Sequence, residues 1–515
     1  MTKHARVAAA APNQAAADAA VEVAACGGGA VDGAIAAMLV TLVNEPGVVS
    51  LGAGAFLTVG APGEVPITID GNVEMPGREV DRAGFGAGVR EVTTSYGGGV
   101  TMTIGHGSVA TPGALAAFAE AHRRYGRVPW REVMGPAIRI ARRGFPLGEA
   151  GASYLALVHD SVFGWQPESS GAVHRPDGVT PLATGETVRI AHLADALQRL
   201  ADVGPADFYT GELAGALVDD MRANDGLIGH RDLAEYEPRV SPALPVSVGD
   251  WSLATNPPPS IGGPVLAALL LLTDRPPVDG PDSARRMVEV QLAVLRHRAR
   301  HLDLAEDRLQ AAQAMLDSIV REGSAWVRTS PSTAHVSVVG DDGFACALTA
   351  SAGYGSGVMV PGTGIWMNNS LGEPELNRRG LHAWEPGTRL PSNMALTVGR
   401  GRGAAEGAAL AIGSPGADRI TTAIAQVLLG MGQGLDLSDA VASPRLHVAL
   451  SGRGEARVEY EEGLRLPELP VPAREWPGRS MFFGGVGVAL REPGGHLRTA
   501  ADPRRGGGTA VGPAA

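Results

Sequence analysis

The chain has 515 residues, enough for roughly two to four ordinary domains or for one large layered domain. Its formal net charge of −11, without a basic stripe, argues against nucleic acid as a partner. No apolar run reaches the roughly 18 residues that a membrane helix requires, and residues 1–11 are too weakly apolar for a secretory signal. We therefore expect a cytoplasmic protein with no membrane partner.

The two cysteines, Cys26 and Cys346, lie far apart in the sequence. They cannot form a disulfide framework, and neither has the spacing of a metal ligand. We expect both to be small buried apolar residues. We expect neither a metal nor a cofactor.

Helical patterns dominate roughly the first 330 residues. An Ala-rich pattern over 13–43, interrupted by glycines at 27–29, predicts two helices, and 48–59 predicts a strand, a turn and a second strand. Residues 160–180, rich in Ser, Gly and Pro, predict a loop. Further helices are predicted over 112–124, 129–143, 191–203, 211–224, 264–273, 282–302 and 304–320.

The character of the sequence changes after a polar segment at 321–331. Residues 335–339 alternate like a strand, Asp341-Asp342-Gly343 predicts a hairpin turn, and 344–349 predicts the return strand. The rest of the chain is richer in strand. The final residues, 503–515, are rich in Arg, Gly and Pro and predict a loose tail.

The hairpin begins with Thr333 directly after the polar segment, and a symmetric pairing about Asp341-Asp342 brings Ser351 near Thr333 or just beyond it. A threonine hydroxyl becomes a useful nucleophile when a base lies within hydrogen-bond reach. If the chain is cut before Thr333, the freed α-amino group is such a base, because it titrates at about 7.7–8. Taken alone, a Thr before a strand is also typical of an ordinary strand former.

Blocks of sequence along the chain occur in a specific order. They include ACGGGAVDGAIAAMLVTLVNEP, GHGSVATPGALAAFAEAHRRYGRVPW, ANDGLIGHRDLAEYEP, NPPPSIGGPVLAALLL, TAHVSVVGDDG, GSGVMVPGTGIWMNNS, RLPSNMALTV and GSPGADRI. Their order and spacing resemble those of the γ-glutamyltransferase family over most of the chain, with Thr333 at the family's autoprocessing site.

The resemblance implies an α+β fold, the four-layer αββα sandwich of N-terminal-nucleophile hydrolases. It implies one precursor cut between Ser332 and Thr333. The pieces are a helix-rich large subunit, 1–332, and a strand-rich small subunit, 333–515. The two pieces stay associated in one intertwined domain. Whether they assemble further into a higher oligomer is left open.

The resemblance also assigns catalytic residues. Thr333 is the nucleophile and its own base, and Ser351 lies where the family has a Thr that hydrogen-bonds the nucleophile. Gly416 and Ala417 match the backbone pair of the oxyanion hole, where the family often has Gly-Gly. Alanine supplies the same N–H, and a helix predicted to start at Asp418 or Arg419 places both donors beside its positive end.

Three further residues match the family's grip on a small-molecule substrate. Ser392 and Asn393 match a polar pair that holds the substrate α-carboxylate, with Asn in place of the usual second Ser. Glu373, after Asn368-Asn369, is the nearest carboxylate for the α-amino group. His335 also matches a family histidine, which we expect to be mainly structural.

One departure concerns the arginine that clamps the α-carboxylate in the family. In IDGNVEMPG, Val73 stands at that position, and valine cannot replace a bidentate arginine. Whether Arg78 or Arg90 reaches the site from elsewhere stays open. The loop after Ser351 is also shorter than in relatives and lacks an Asn that contacts substrate in them.

The resemblance therefore predicts an acyl-enzyme hydrolase or transferase with a non-standard acyl donor. A first alternative is a carbon–carbon bond hydrolase of antibiotic biosynthesis (4-alkylproline type), a reaction that the same nucleophile and oxyanion hole can serve. A second alternative is a binding protein that no longer matures.

Overall fold

The computed structural model describes residues 5–94, 100–273, 281–322, 333–374, 376–450, 455–469 and 471–513. Residues 323–332, most of the predicted polar segment together with Ser332, lie outside the described ranges. Within those ranges helices and strands are mixed, as the resemblance implies.

The described helices include those that apolar periodicity predicts and several shorter ones that it does not. They are α1 (Gln14–Ala25), α2 (Ala30–Asn44), α3 (Ala114–Tyr125), α4 (Trp130–Arg143), α5 (Glu149–Val158), α6 (Pro167–Val173), α7 (Leu193–Val203), α8 (Asp207–Thr210), α9 (Glu212–Ala223), α10 (His230–Ala234), α11 (Gly262–Thr273), α12 (Pro281–His297), α13 (Arg308–Glu322), α14 (Arg419–Gly432) and α15 (Leu437–Ala442). Short π-helical turns follow α5 and α12.

The strands are distributed along the whole chain. They are β1 (Val7–Ala11), β2 (Gly54–Gly60), β3 (Ile67–Gly71), β4 (Arg90–Thr94), β5 (Val100–Ile104), β6 (Phe145–Pro146), β7 (Thr187–Val188), β8 (Arg239–Pro242), β9 (Leu244–Val248), β10 (Trp251–Thr255), β11 (Ala334–Gly340), β12 (Ala345–Ser351), β13 (Met359–Val360), β14 (Ile365–Trp366), β15 (Thr397–Gly401), β16 (Ala409–Gly413), β17 (Leu446–Leu450), β18 (Ala456–Glu461), β19 (Ala473–Trp476), β20 (Gly487–Arg491), β21 (Leu497–Ala501) and β22 (Gly508–Gly512).

Two large sheets carry most of these strands. One has the order β22-β1-β11-β12-β2-β3-β8, and the other has the order β21-β20-β16-β15-β10-β9. Each interleaves strands from before and after Thr333. In the first, β1 lies between β22 and β11, antiparallel to both.

The two sheets pack face to face. Small apolar side chains such as Ala347 and Val339 of the first sheet meet Ala411 and Val398 of the second in one buried cluster. Side chains of this size let the sheets approach closely, which suits a chain with only 4% aromatic residues.

Helices cover the outer face of each sheet. α1 and α2 pack on the first sheet, and α2 is buried along its whole length. Close packing of these helices depends on small residues, since a Cβ added to Gly33 would already lie 3.3 Å from Ala20 Cβ. On the other sheet, α11, α12 and α14 share a second large apolar cluster with strand residues such as Leu410.

Four local predictions were wrong. Cys26 is exposed, because it caps the end of α1, whereas Cys346 is buried as expected. Residues 48–53 form a turn, so only the second predicted strand of that pair exists. Residues 160–180 contain α6, which begins with Pro167 at a position where proline is favourable. The tail is not loose, since β22 pairs with β1 along five residues.

Among the described helices, none is long and apolar enough to cross a membrane. Within the same ranges there is no cluster of three or more His, Cys, Asp or Glu side chains that could hold a metal ion.

Candidate active site

Thr333 lies directly before β11, and only 2% of its surface is exposed. β11 pairs with β12 so that Ala334 lies opposite Ala350. Continuing this register by one residue would place Thr333 opposite Ser351. Ser351 in turn lies opposite Gly54 of β2. The strand pairing thus has the register that the symmetric hairpin predicts.

The His335 ring joins this hairpin to the second sheet. Its Nδ1 lies 2.8 Å from Thr349 Oγ1, and its Nε2 lies 2.7 Å from Ser337 Oγ. Burial lowers the pKa of His335 to about 3, so the ring is neutral. The ring packs so tightly on β16 that a Cβ on Gly413 would lie 2.3 Å from it.

The loop after Gly413 carries the predicted oxyanion pair. Gly416 has a φ of +121°, and Ala417 has a φ of +69°, a left-handed conformation that costs a non-glycine residue roughly 1–2 kcal/mol. No described residue accepts a hydrogen bond from either backbone amide. Helix α14 begins two residues later, at Arg419, as predicted.

Asp418 ties this loop to β17. Its Oδ2 lies 2.9 Å from His447 Nε2, and His447 Nδ1 lies 3.1 Å from Thr422 Oγ1 of α14. Burial by itself raises the pKa of Asp418, but the adjacent Arg419 and His447 more than offset it and bring the pKa to about 2. Asp418 is therefore a buried, ionised carboxylate beside the two open amides.

Ser392 and Asn393 are both buried in the segment between Arg389 and β15. Ser392 Oγ accepts a hydrogen bond from the Met394 amide at 3.3 Å. Asn393 differs, because neither its side-chain nitrogen nor its oxygen has a partner among the described residues. Leaving a buried polar group unpaired costs roughly 1–3 kcal/mol, so the Asn393 amide is a buried group with free hydrogen-bonding capacity among the described residues.

Glu373 is buried against the turn that follows β12. A Cβ added to Gly353 would lie 2.7 Å from Glu373 Oε1 and 2.2 Å from Asn369 Oδ1. Asn369 Oδ1 also accepts a hydrogen bond from the Tyr354 amide at 2.7 Å. Gly353 borders the cavity beside Thr333, so Glu373 lies directly behind its wall.

Val73 lies close to the same site. A Cβ added to Gly54 would lie 3.0 Å from Val73 Cγ1, and Gly54 is the strand partner of Ser351. The Leu390 amide donates to the Val73 carbonyl at 3.0 Å, two residues before Ser392. The Val73 side chain belongs to a buried apolar cluster with Met75 and Leu390.

The two arginines that could replace the missing clamp are engaged elsewhere. Arg78 forms ion pairs with Glu74 at 3.2 Å, Asp232 at 3.3 Å and Glu235 at 3.1 Å. The Arg90 guanidinium lies over the Trp165 ring, 5.2 Å from its centre. Neither of them lines the Thr333 cavity.

The cavity beside Thr333 has a volume of about 40 Å³. Its walls come from both sheets, from the ends of α1 and α2, from α5 and from the turn before β22. The charged residues in its lining are Glu45, Asp502 and Arg505. It is large enough for one or two water-sized groups.

A family model described as gamma-glutamyltranspeptidase matches residues 16–512. The chain belongs to this family. It is 30% identical to the glutathione hydrolase proenzyme of Pseudomonas aeruginosa over an alignment that covers 98% of this chain and 94% of that protein.

Solved structures of similar shape cover nearly the whole of this gamma-glutamyltranspeptidase family chain. Cephalosporin acylase from Bacillus halodurans aligns with a TM-score of 0.78 and 23% identity, covering 98% of this chain and 96% of that one. LmbA2991T421A aligns with a TM-score of 0.81 and 21% identity, covering 99% and 98%. At these identities the likeness shows a shared fold.

Two features of this family member were not identified from its sequence. One is the Asp418–His447 pair, and the other is the cavity carboxylate Glu45 with nearby Arg505. Glu45 stood within a matching block, but its charged neighbour lies at the other end of the chain. Residues that come together from distant parts of the chain produce no periodicity or spacing in the sequence from which their proximity could be predicted.

Proposed function

We propose that the protein is an autoprocessing hydrolase of the gamma-glutamyltranspeptidase family that works through an acyl-enzyme on Thr333. The observation that carries the proposal is the placement of Thr333. It lies buried at the start of a central strand, opposite the hydroxyl residue Ser351 and on the wall of a cavity. Family membership supports an acyl-transferring hydrolase of this kind.

Maturation is the first reaction. Thr333 Oγ attacks the carbonyl carbon of Ser332, the hydroxyl proton passes to the amide nitrogen, and the peptide becomes an ester. Water then hydrolyses the ester, which releases residues 1–332 as a carboxylate and leaves 333–515 with a free α-amino group. Several relatives, including that of Pseudomonas aeruginosa, are named proenzymes, which accords with this route.

Turnover uses the same hydroxyl. The α-amino group of Thr333 accepts the hydroxyl proton while Oγ attacks the acyl donor, and Ser351 holds Oγ by a hydrogen bond. The amides of Gly416 and Ala417, which lack acceptors among the described residues, donate to the oxyanion. The protonated amine then delivers its proton to the leaving group, and water or a second substrate resolves the acyl-enzyme.

The architecture supports a pair of subunits that stay together after the cut. We assign the face-to-face sheets and their outer helices to the four-layer αββα sandwich formed by both pieces. β1 of the large subunit lies between β11 and β22 of the small subunit. Separating the pieces would break backbone pairing on both edges of β1 and expose the cluster between the sheets.

The acyl donor is a non-standard one. Asn393 and Ser392 offer neutral groups for a carboxylate, and Glu373 lies near enough for an amine. Burying a carboxylate beside Val73 without a cation costs several kcal/mol, of which hydrogen bonds to a charged group recover about 1.5–3 kcal/mol each. A donor without that carboxylate avoids the deficit.

The second candidate is cleavage of a carbon–carbon bond next to a carbonyl, as in antibiotic biosynthesis of the 4-alkylproline type. The apolar surroundings of Val73 favour this candidate, because they suit a donor with no charged group on its α-carbon. Nucleophile and oxyanion donors keep the same roles. The third candidate, a binding protein that does not mature, predicts an intact chain.

The mass of the purified protein decides between maturation and the binding protein. We expect two pieces, 1–332 and 333–515, with Thr333 at the new N-terminus. Thr333→Ala should stay whole and inactive, whereas Thr363→Ala, at a buried threonine outside the cavity lining, should mature normally. An intact and active wild-type chain would refute the proposed mechanism.

A further inference from the structure

Glu45 is the one cavity carboxylate whose second oxygen has no protein partner among the described residues. The side chain is buried, with 6% of the residue exposed, at the end of α2. Its Oε1 accepts a hydrogen bond from Asn13 Nδ2 at 2.8 Å. No described side chain or amide donates to Oε2, although the residue lines the cavity with Thr333.

The other carboxylate of the cavity, its tyrosine and its histidine are already engaged. Asp502 forms ion pairs with Arg445 at 2.7 Å and with Arg504 at 3.0 Å. The Tyr154 hydroxyl donates to the Tyr354 carbonyl at 2.8 Å. The ring of His335, also in the lining, is neutral and bonded through both nitrogens. Glu45 is therefore the carboxylate that can take a cation in this space.

Arg505 lines the same cavity as Glu45, but burial is the main influence on how the Glu45 carboxyl titrates. Burial raises the pKa of Glu45 to about 7, although the hydrogen bond from Asn13 and the charge of Arg505 both lower it. The group can then gain or lose a proton at neutral pH, and a bound cation would favour its ionised form.

We propose that Glu45 is the anchor of a primary-amine subsite in the Thr333 cavity. A cavity of about 40 Å³ has room for an ammonium group beside Glu45. Two sources supply such a group: the α-amino group of Thr333 itself after cleavage, and the amine of a second substrate that resolves the acyl-enzyme. The inference rests on the proposed cut before Thr333.

Each source predicts a different consequence. If the ligand is the α-amino group of Thr333, an ionised Glu45 stabilises its ammonium form and raises the pH at which the free base becomes available. If the ligand is a second substrate, its ammonium binds at Oε2 and passes one proton to Glu45. The neutral amine then attacks the ester carbon, and Thr333 Oγ leaves and recovers a proton.

Glu45→Gln tests both sources, with Glu64→Gln, at an exposed position, as the matched control. The first readout is the pH dependence of sulfonylation of Thr333 by phenylmethanesulfonyl fluoride, which needs no acyl donor. For the α-amino source, the acid limb of the sulfonylation rate should move down by about one pH unit or more, because an opposite charge within about 4–6 Å shifts a pKa by about 1–3 units.

The second readout is partition between hydrolysis and transfer, with γ-glutamyl-p-nitroanilide as donor and glycinamide as acceptor. For the second-substrate source, Glu45→Gln should lower transfer relative to hydrolysis by about tenfold while the acid limb stays in place. Glu64→Gln should match the wild type in both readouts.

Asn13→Ala is the second variant, in case Glu45→Gln is not recovered as mature protein. Loss of the Asn13 hydrogen bond raises the pKa of Glu45, so the same readout should move in the same direction by a smaller amount. Mature variants with both readouts unchanged would overturn the subsite. A wild-type chain that remains whole would instead overturn the proposed cut, which mass analysis detects separately.

Discussion

The two sides of Thr333 differ in how completely their buried polar side chains are paired. On the side of the second sheet, His335 uses both ring nitrogens, and Asp418 is held by His447 and Arg419. On the side of Ser392, the buried Asn393 amide has no partner among the described residues, and Val73 fills an apolar cluster.

This difference separates reaction from recognition. The paired side fixes backbone positions, because each buried hydrogen bond restricts one conformation of the oxyanion loop. Under the proposed function, the unpaired side keeps its hydrogen-bonding capacity for a substrate.

The largest expected effect comes from disturbing the paired side at Gly416. A Cβ there would lie 2.7 Å from Gly484 Cα, and the φ of +121° disfavours any L side chain. Gly416→Ala should therefore move the two amides and lower kcat by about 100-fold or more, as loss of an oxyanion donor does. Turnover is measured on variant protein whose circular dichroism spectrum matches that of the wild type.

Gly434→Ala is the matched control for this variant. Gly434 also has a positive φ, of +85°, but a Cβ there meets nothing within 4 Å. It should carry only the local backbone cost of roughly 1–2 kcal/mol and keep kcat. Equal turnover of the two variants would show that Gly416 and Ala417 are not the oxyanion donors.

The paired side was the more predictable of the two from sequence. Hairpin register is local, so Thr333 and Ser351 could be brought together from the position of the turn alone. Helix α14 was located from its first residues. Asp418–His447 and Glu45–Arg505 were not found, because packing of distant elements creates them and neither residue type nor spacing records it.

Errors in the fold have a similar origin. The tail has the composition of a loose segment, yet β22 forms because backbone hydrogen bonds to β1 need no particular side chains. Cys26 was expected inside on the strength of residue type, but its position as the cap of α1 exposes it. In both cases tertiary context overrides local preference.

A second, smaller effect should follow from Asp418→Asn. The variant keeps size and most hydrogen bonding but loses the charge that holds His447 and Arg419. We expect kcat to fall by about tenfold, equivalent to about 1.4 kcal/mol, with KM nearly unchanged. Asp439→Asn, on the exposed face of α15, is the control and should behave as wild type.

The pH dependence of stability gives this variant an independent readout. The pKa of Asp418 in the folded protein, about 2, is below its unfolded value of about 3.9. The contribution of Asp418 to the free energy of unfolding is therefore present above about pH 4 and is lost as the pH falls toward 2. Denaturant unfolding should separate Asp418→Asn from wild type at pH 6 and bring the two together near pH 2. A constant gap would contradict an ionised Asp418.

The smallest expected effect is a gain on the unpaired side, at Val73. If the missing cation is what limits γ-glutamyl donors, wild-type kcat/KM for glutathione should lie at least about 100-fold below that of the Pseudomonas aeruginosa relative, a gap of about 2.7 kcal/mol. Val73→Arg should recover about tenfold of it, because a guanidinium there would face the carboxylate held by Ser392 and Asn393.

Val73→Met is the control, since it adds length without charge to the same apolar cluster and should recover nothing. Burial of a new arginine will lower stability, so kcat/KM is compared only among variants of native circular dichroism. Efficient glutathione hydrolysis by the wild type would show that the donor side is complete without Arg at position 73. An equal gain in Val73→Met would show that the side chain acts through packing rather than through its charge.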